Sequence, residues 1–229
     1  MSRLALVALL VASSARAGTV SGKLELPPAP ERPAPQPRGF LERVENPLKP
    51  PQPLPLAPYM VVVLEGKSDA SPPECKWDLV GESFSHPVVA CMSGAEVTIK
   101  NLSKTARTLV ASEDPKLIAP GPINPAPGAK SFKAGDVGKT YTIVDPDAAY
   151  FFGRLVVVDS PYVGYPEDTT TANVARFEIT DVPEGTYKVK VFYKDAWLEV
   201  ETPVTVGKTG KAEVTTKIAS LPAAAQEKK

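Results

Sequence analysis

Twelve prolines fall among the 32 residues from Pro27 to Pro58. Each removes an amide donor and fixes its own φ, so this stretch holds neither a sheet ladder nor a long helix. It reads as an extended, largely polyproline-like insertion or linker. Its middle, Phe40-Leu41-Glu42-Arg43-Val44, is apolar enough to dock on a surface or form one helical turn. The whole chain carries 26 prolines in 229 residues, about one in nine against a usual one in twenty. That density excludes a mainly helical protein.

Outside the insertion, short apolar runs separated by turn residues recur at the spacing of an all-β protein. Thr19 to Leu26 alternates apolar and polar positions as a strand does. Met60-Val61-Val62-Val63-Leu64 is a continuous apolar run closed by Glu65-Gly66, the mark of a strand buried on both faces. Pro87 to Cys91 is a second such run. Glu96 to Lys100, Arg107 to Ala111, Thr140 to Val144 and Gly153 to Asp159 complete a first half, with Pro115 to Gly128 as a loop. A second half contains strands over Val174 to Ile179, Gly185 to Tyr193, Leu198 to Val206 and Lys211 to Ile218. The expected division is a strand at 18–26, the insertion at 27–58, one sandwich at 59–159, a second at 160–221 and a flexible tail at 222–229. The 18–26 strand fits either sandwich.

Residues 1–17 read as a cleaved signal peptide: Arg3, the apolar run Leu4 to Ala12, then Ala15-Arg16-Ala17 as a small-residue cleavage site. The run is about half the roughly 20 residues of a membrane span. No cysteine follows it, so a lipoprotein anchor is not expected, and the mature chain is read as periplasmic or secreted without direct membrane insertion. In an oxidising compartment Cys75 and Cys91, each the other's only candidate, are expected to pair.

Lys+Arg and Asp+Glu both number 26. That balance offers no electrostatic case for nucleic acid. His86, the single histidine, stands in Phe84-Ser85-His86-Pro87 at the start of a strand and reads as a surface or edge side chain. No G-x-S-x-G elbow or phosphate-binding glycine loop is present. The adjacent Glu167 and Asp168 read as solvated loop carboxylates, because a catalytic dyad needs a spatial pair with separated pKa values. An enzyme is not expected.

Gly94-Ala-Glu-Val-Thr-Ile-Lys-Asn-Leu102, Gly138-Lys-Thr-Tyr-Thr-Ile-Val144 and Arg154-Leu-Val-Val-Val-Asp-Ser-Pro-Tyr162 resemble bacterial periplasmic cupredoxin-like proteins, particularly those labelled methylamine-utilisation-like. Arg176-Phe-Glu-Ile-Thr-Asp-Val-Pro-Glu-Gly-Thr-Tyr187 resembles the carboxypeptidase regulatory-like, transthyretin-like β-sandwich that often follows the cupredoxin unit in that family. The resemblance implies two β-sandwich units over most of 58–218. It also implies where copper ligands would stand, and there the chain departs from the pattern. The histidine after the asparagine turn is replaced by Arg107, and the later Cys-x-x-His-x-x-Met cluster falls on Asp145, Ala148 and Phe151. Blue copper needs a thiolate, two imidazoles and usually a soft axial ligand, so neither copper nor another cofactor is expected. If the alignment holds, Arg107 and Asp145 lie adjacent at one end of the first sandwich and form a salt bridge.

Tyr150, Phe151 and Phe152 take the place of the lost metal loop, with Tyr162 shortly after. Either the rings fill the vacated volume or they form an apolar patch for a partner, and at least one is expected on the surface. The function expected is therefore a non-catalytic structural or protein-interaction component of the cell envelope, with an envelope protein as partner. Two alternatives stand beside it: copper handling or electron transfer, and carbohydrate binding through Trp77, Trp197 and the tyrosines.

Overall fold

A computed structural model of the chain describes residues 18–28, 55–66, 70–207 and 210–222. The expected signal peptide, most of the proline-rich insertion with its Phe40 to Val44 centre, and the tail beyond Pro222 lie outside the described residues. Within them the protein is all-β, with four main sheets and one short 3-10 turn at Ala57–Tyr59.

The four sheets stack face to face. In the first, Gly18–Glu25 lies between Val174–Val182, antiparallel, and Lys211–Lys217, parallel, with Glu167–Asp168 at one edge. In the second, Gly185–Tyr193 pairs with Met60–Glu65 on one side and with Ala196–Trp197 and Thr202–Val206 on the other, while Val163–Gly164 borders Met60–Glu65. The third runs Val88–Met92, Ala148–Val158, Thr140–Asp145, Val110–Ala111, and the fourth Ala129–Lys133, Glu96–Asn101, Cys75–Val80, Ser83–Phe84.

Strand alternation assigns each side chain to a layer, because successive Cβ atoms point to opposite faces. Met60, Val62 and Leu64 join Val20, Phe177 and Val189 in a core between the first and second sheets. Val61 and Val63, one residue out of step, join Phe192, Val88, Ala90, Val156 and Val158 in a seam between the second and third. Val89, Leu155 and Val157 face the other way, into a core with Trp77, Val97 and Ile99 between the third and fourth sheets. The continuous apolar runs at 60–64 and 88–91 thus have one physical cause: each strand lies in an inner layer and is covered on both faces.

This arrangement corrects the expected boundary at residue 59. Met60–Glu65 pairs with Gly185–Tyr193, in register from Met60 opposite Tyr193 to Glu65 opposite Lys188, so it belongs to the later sandwich. Gly18–Glu25 does too, through its ladders to Val174–Val182 and Lys211–Lys217. The sandwich made by the third and fourth sheets is inserted between two neighbouring strands of the other, Met60–Glu65 and Val163–Gly164. The strand expected over Arg107 to Ala111 is also divided: Arg107–Thr108 pairs with Pro122–Ile123, while Val110–Ala111 joins the third sheet.

Cys75 and Cys91 are bonded, with their Cα atoms 5.9 Å apart. One stands on the fourth sheet and the other on the third, so the bond ties the two layers of the inserted sandwich together.

Candidate functional site

The chain turns at the end of the inserted sandwich around Asn101. Its buried side chain donates from Nδ2 to the carbonyls of Thr105 at 2.8 Å and Ile123 at 2.9 Å, and its Oδ1 accepts from the Ser103 backbone N–H at 2.9 Å. The turn is therefore held by side-chain bonds in place of a ladder, and it delivers Arg107 inward on the short strand that follows.

Arg107 has a side chain 7% exposed, and its Nη1 lies 3.3 Å from Oδ2 of Asp145, which is 3% exposed. Nη2 donates to Oε2 of Glu82 at 2.5 Å. The Tyr150 hydroxyl donates to the same Glu82 oxygen at 2.8 Å, and the Asp147 backbone N–H donates to Asp145 Oδ1 at 3.1 Å. Arg107 Nε is buried with no hydrogen-bond partner. The guanidinium carbon sits 4.8 Å from the centre of the Phe151 ring, and Phe151 continues through Phe84 at 5.0 Å to Trp77 at 4.1 Å. Ala148 is the cross-strand partner of Asp145. The structure thus brings Arg107, Asp145, Ala148 and Phe151 together at one end of the inserted sandwich.

Burial works against the Arg107 charge, but the bonds from Tyr150, Glu82 and Asp145 outweigh it, so the guanidinium is held above its ordinary range. The Tyr150 hydroxyl, and then Arg107, hold the Glu82 carboxyl below the usual carboxylate range. Glu82 is a member of this end that the sequence pattern does not reveal. It follows Gly81, whose φ is +60°, in a turn that returns the chain beneath Arg107, and nothing in its local sequence marks it as an arginine's partner.

The residues present do not fit a copper ion. An arginine guanidinium stays protonated and donates only, the Asp145 carboxylate is taken up by Arg107 and the Asp147 N–H, and Ala148 and Phe151 offer carbon alone. Among the described residues no group of three or more histidine, cysteine or acidic side chains is placed to hold a metal.

The aromatic patch is smaller than expected. Tyr150 is 65% exposed and Phe152 53%, but Phe151 is 1% exposed and Tyr162 8%. Phe151 faces inward because it lies between two outward residues of one strand. Tyr162 packs in the core of the other sandwich, edge-on to Tyr187 at 5.6 Å. Neither contributes to a surface. Trp77 is fully buried and donates its Nε1–H to the His86 carbonyl at 2.9 Å, which removes it as a carbohydrate-stacking ring. His86 is exposed and stacks on Tyr165 at 4.7 Å. Burial pushes the Tyr165 hydroxyl up to about 12. Glu167 and Asp168 are exposed, on an edge strand instead of a loop.

No family model matches the chain, and no curated protein matches it. Solved structures of cupredoxins do. A mutant plastocyanin of fern is 17% identical, over 36% of this chain and 99% of that one, with a TM-score of 0.32. A reduced mutant amicyanin is 13% identical, over 42% of this chain and 97% of that one, with a TM-score of 0.33. An oxidised mutant amicyanin is 18% identical over the same shares, also at 0.33. At such identities and scores these are likenesses of fold and carry no argument about chemistry.

Proposed function

We propose that this chain is an exported, non-catalytic β-sandwich protein that serves as a structural or protein-interaction component of the cell envelope, with the Arg107 end as its contact surface. One observation carries the reading: Tyr150 and Phe152 stand exposed side by side on one face of a strand whose intervening ring, Phe151, is anchored in the core. Binding groups are commonly presented by segments that a rigid scaffold positions, and the function of such a fold is read from the site it carries. The donor set at this end supports a contact role over electron transfer. Next to the rings, Val144 is half-buried and pairs with both Phe152 and Val110, so the apolar surface extends across three strands of the third sheet. The transthyretin-like character of the later sandwich is part of the same reading and rests on the Arg176 to Tyr187 motif.

Site-specific photocrosslinkers at positions 150 and 152, in cells that export the protein, test this. Adducts to a defined envelope protein at both positions, absent when the crosslinker stands at Glu213 on the far sheet, are expected. Adducts equally frequent at all three positions, or stoichiometric copper in the purified protein, overturn it.

A further inference from the structure

At the other end of the Ala148–Val158 strand, the seam between the second and third sheets opens into a cleft of about 310 Å³. Its floor is aliphatic, formed by Val63, Val158, Leu198 and Val200, with the exposed Val137 at one side. Trp197 lines it too, 40% exposed, its ring T-shaped to Phe192 of the seam at 5.2 Å.

The mouth of the cleft is acidic. Glu65, Asp159, Glu199 and Glu201 line it against one cation, Lys190. Lys190 Nζ is held 2.9 Å from Glu65 and 3.7 Å from Glu201, and Lys188, outside the lining, takes the other Glu201 oxygen at 3.0 Å. Both lysines are thus paired to Glu65 and Glu201, and Lys190 also feels the Asp159 charge through space. Asp159 and Glu199 are exposed and form no ion pair among the described residues.

We propose that this cleft binds a small organic cation, a protonated or quaternary ammonium on an apolar body, with the body on the aliphatic floor and the charged head against Trp197 and the Asp159 and Glu199 carboxylates. Charge complementarity selects the class. An anion meets the excess of carboxylates, while an ammonium meets them together with the Trp197 indole, the aromatic side chain best suited to a cation. The volume lies at the small end of ordinary ligand sites, which suits a single aromatic or branched aliphatic group. The site is separate from the Tyr150 and Phe152 surface, so it stands or falls independently of that reading.

Two-dimensional ¹H–¹⁵N NMR of the mature protein, titrated with 2-phenylethylammonium chloride and with its neutral isostere 2-phenylethanol, tests the proposal. The ammonium is expected to shift the Trp197 indole and the Asp159 and Glu199 amides saturably, with the alcohol about tenfold weaker or more. The double variant Asp159→Asn with Glu199→Gln should weaken the ammonium about tenfold and leave the alcohol unchanged, and Trp197→Leu should weaken both. Because these side chains are exposed, the dispersion of each variant's own spectrum confirms its fold. Equal affinity for ammonium and alcohol overturns the proposal, as does ammonium binding that survives the charge variants. So does a titration with no shifts, or with shifts only outside the cleft.

Discussion

The guanidinium of Arg107 meets the carboxylate of Asp145 at 3.3 Å across 38 positions of chain, with both side chains buried. The pair closes the end of the inserted sandwich where a metal centre would otherwise be sought. A buried ion pair is weak evidence for net stability but a strong constraint on substitution, since removing one partner strands the other charge.

Asp145→Ala is therefore expected to destabilise the protein by about 3 to 5 kcal/mol, measured by urea unfolding of the oxidised protein. Replacing both partners, Arg107→Met with Asp145→Leu, should recover much of that loss. A double variant whose loss equals the sum of the two single losses would show that the pair is not coupled.

Glu82 makes the same end sensitive to acid. Tyr150 and Arg107 depress its carboxyl, so its contribution is present above its unfolded range, near pH 4.5, and is lost as pH falls through the lower folded value. The stability gap between the wild-type protein and Glu82→Gln should be widest near neutrality and shrink on acidification toward pH 3, on the order of the reference carboxylate range. A gap that grows with acid would reverse the sign and refute the assignment.

Breaking the Cys75–Cys91 bond by the paired change to serine should cost about 3 kcal/mol, as expected for a closed loop of this length in the chain-entropy model. The cost should appear as a lower denaturant midpoint of the inserted sandwich, whose two sheets the bond joins. Intact stability after full reduction would contradict that role.

Gly153 lies directly beneath the aromatic stack. A Cβ at this position would stand 2.5 Å from the Trp77 ring and 2.8 Å from Phe84. Gly153→Ala should cost about 1 to 3 kcal/mol through overpacking, whereas Gly207→Ala, whose added Cβ would meet nothing within 4 Å, should be close to neutral. Differential scanning calorimetry of the two variants separates them.

One strand supplies the last contrast. Phe151→Ala should cost about 3 to 5 kcal/mol through the cavity it leaves, and Phe152→Ser, one residue on, should leave the melting temperature nearly unchanged while abolishing crosslinking at the Arg107 end. Loss of stability from Phe152→Ser would place that ring in the core, against its 53% exposure.

Much of this fold is legible in the residues. Proline density and period-2 alternation determined an all-β chain, because both act on the backbone of each segment by itself. The continuous runs at 60–64 and 88–91 announced strands covered on both faces. Two cysteines with no rival determined the disulfide. That Arg107 and Asp145 meet was implied by the cupredoxin-like resemblance, through the places its ligands would take, and not by the pattern of either segment alone. Tertiary structure alone decided which sheet each strand joined. The continuous apolar run at 60–64 states that both faces are buried but not by what, and the choice of Gly185–Tyr193 as its partner lies in the register between strands more than a hundred residues apart. It likewise decided that Glu82 reaches Arg107, that Tyr162 belongs to the other core, and that a cleft opens beside Trp197. Each depends on contacts between segments distant in sequence, and the pattern within one segment holds no information about the other.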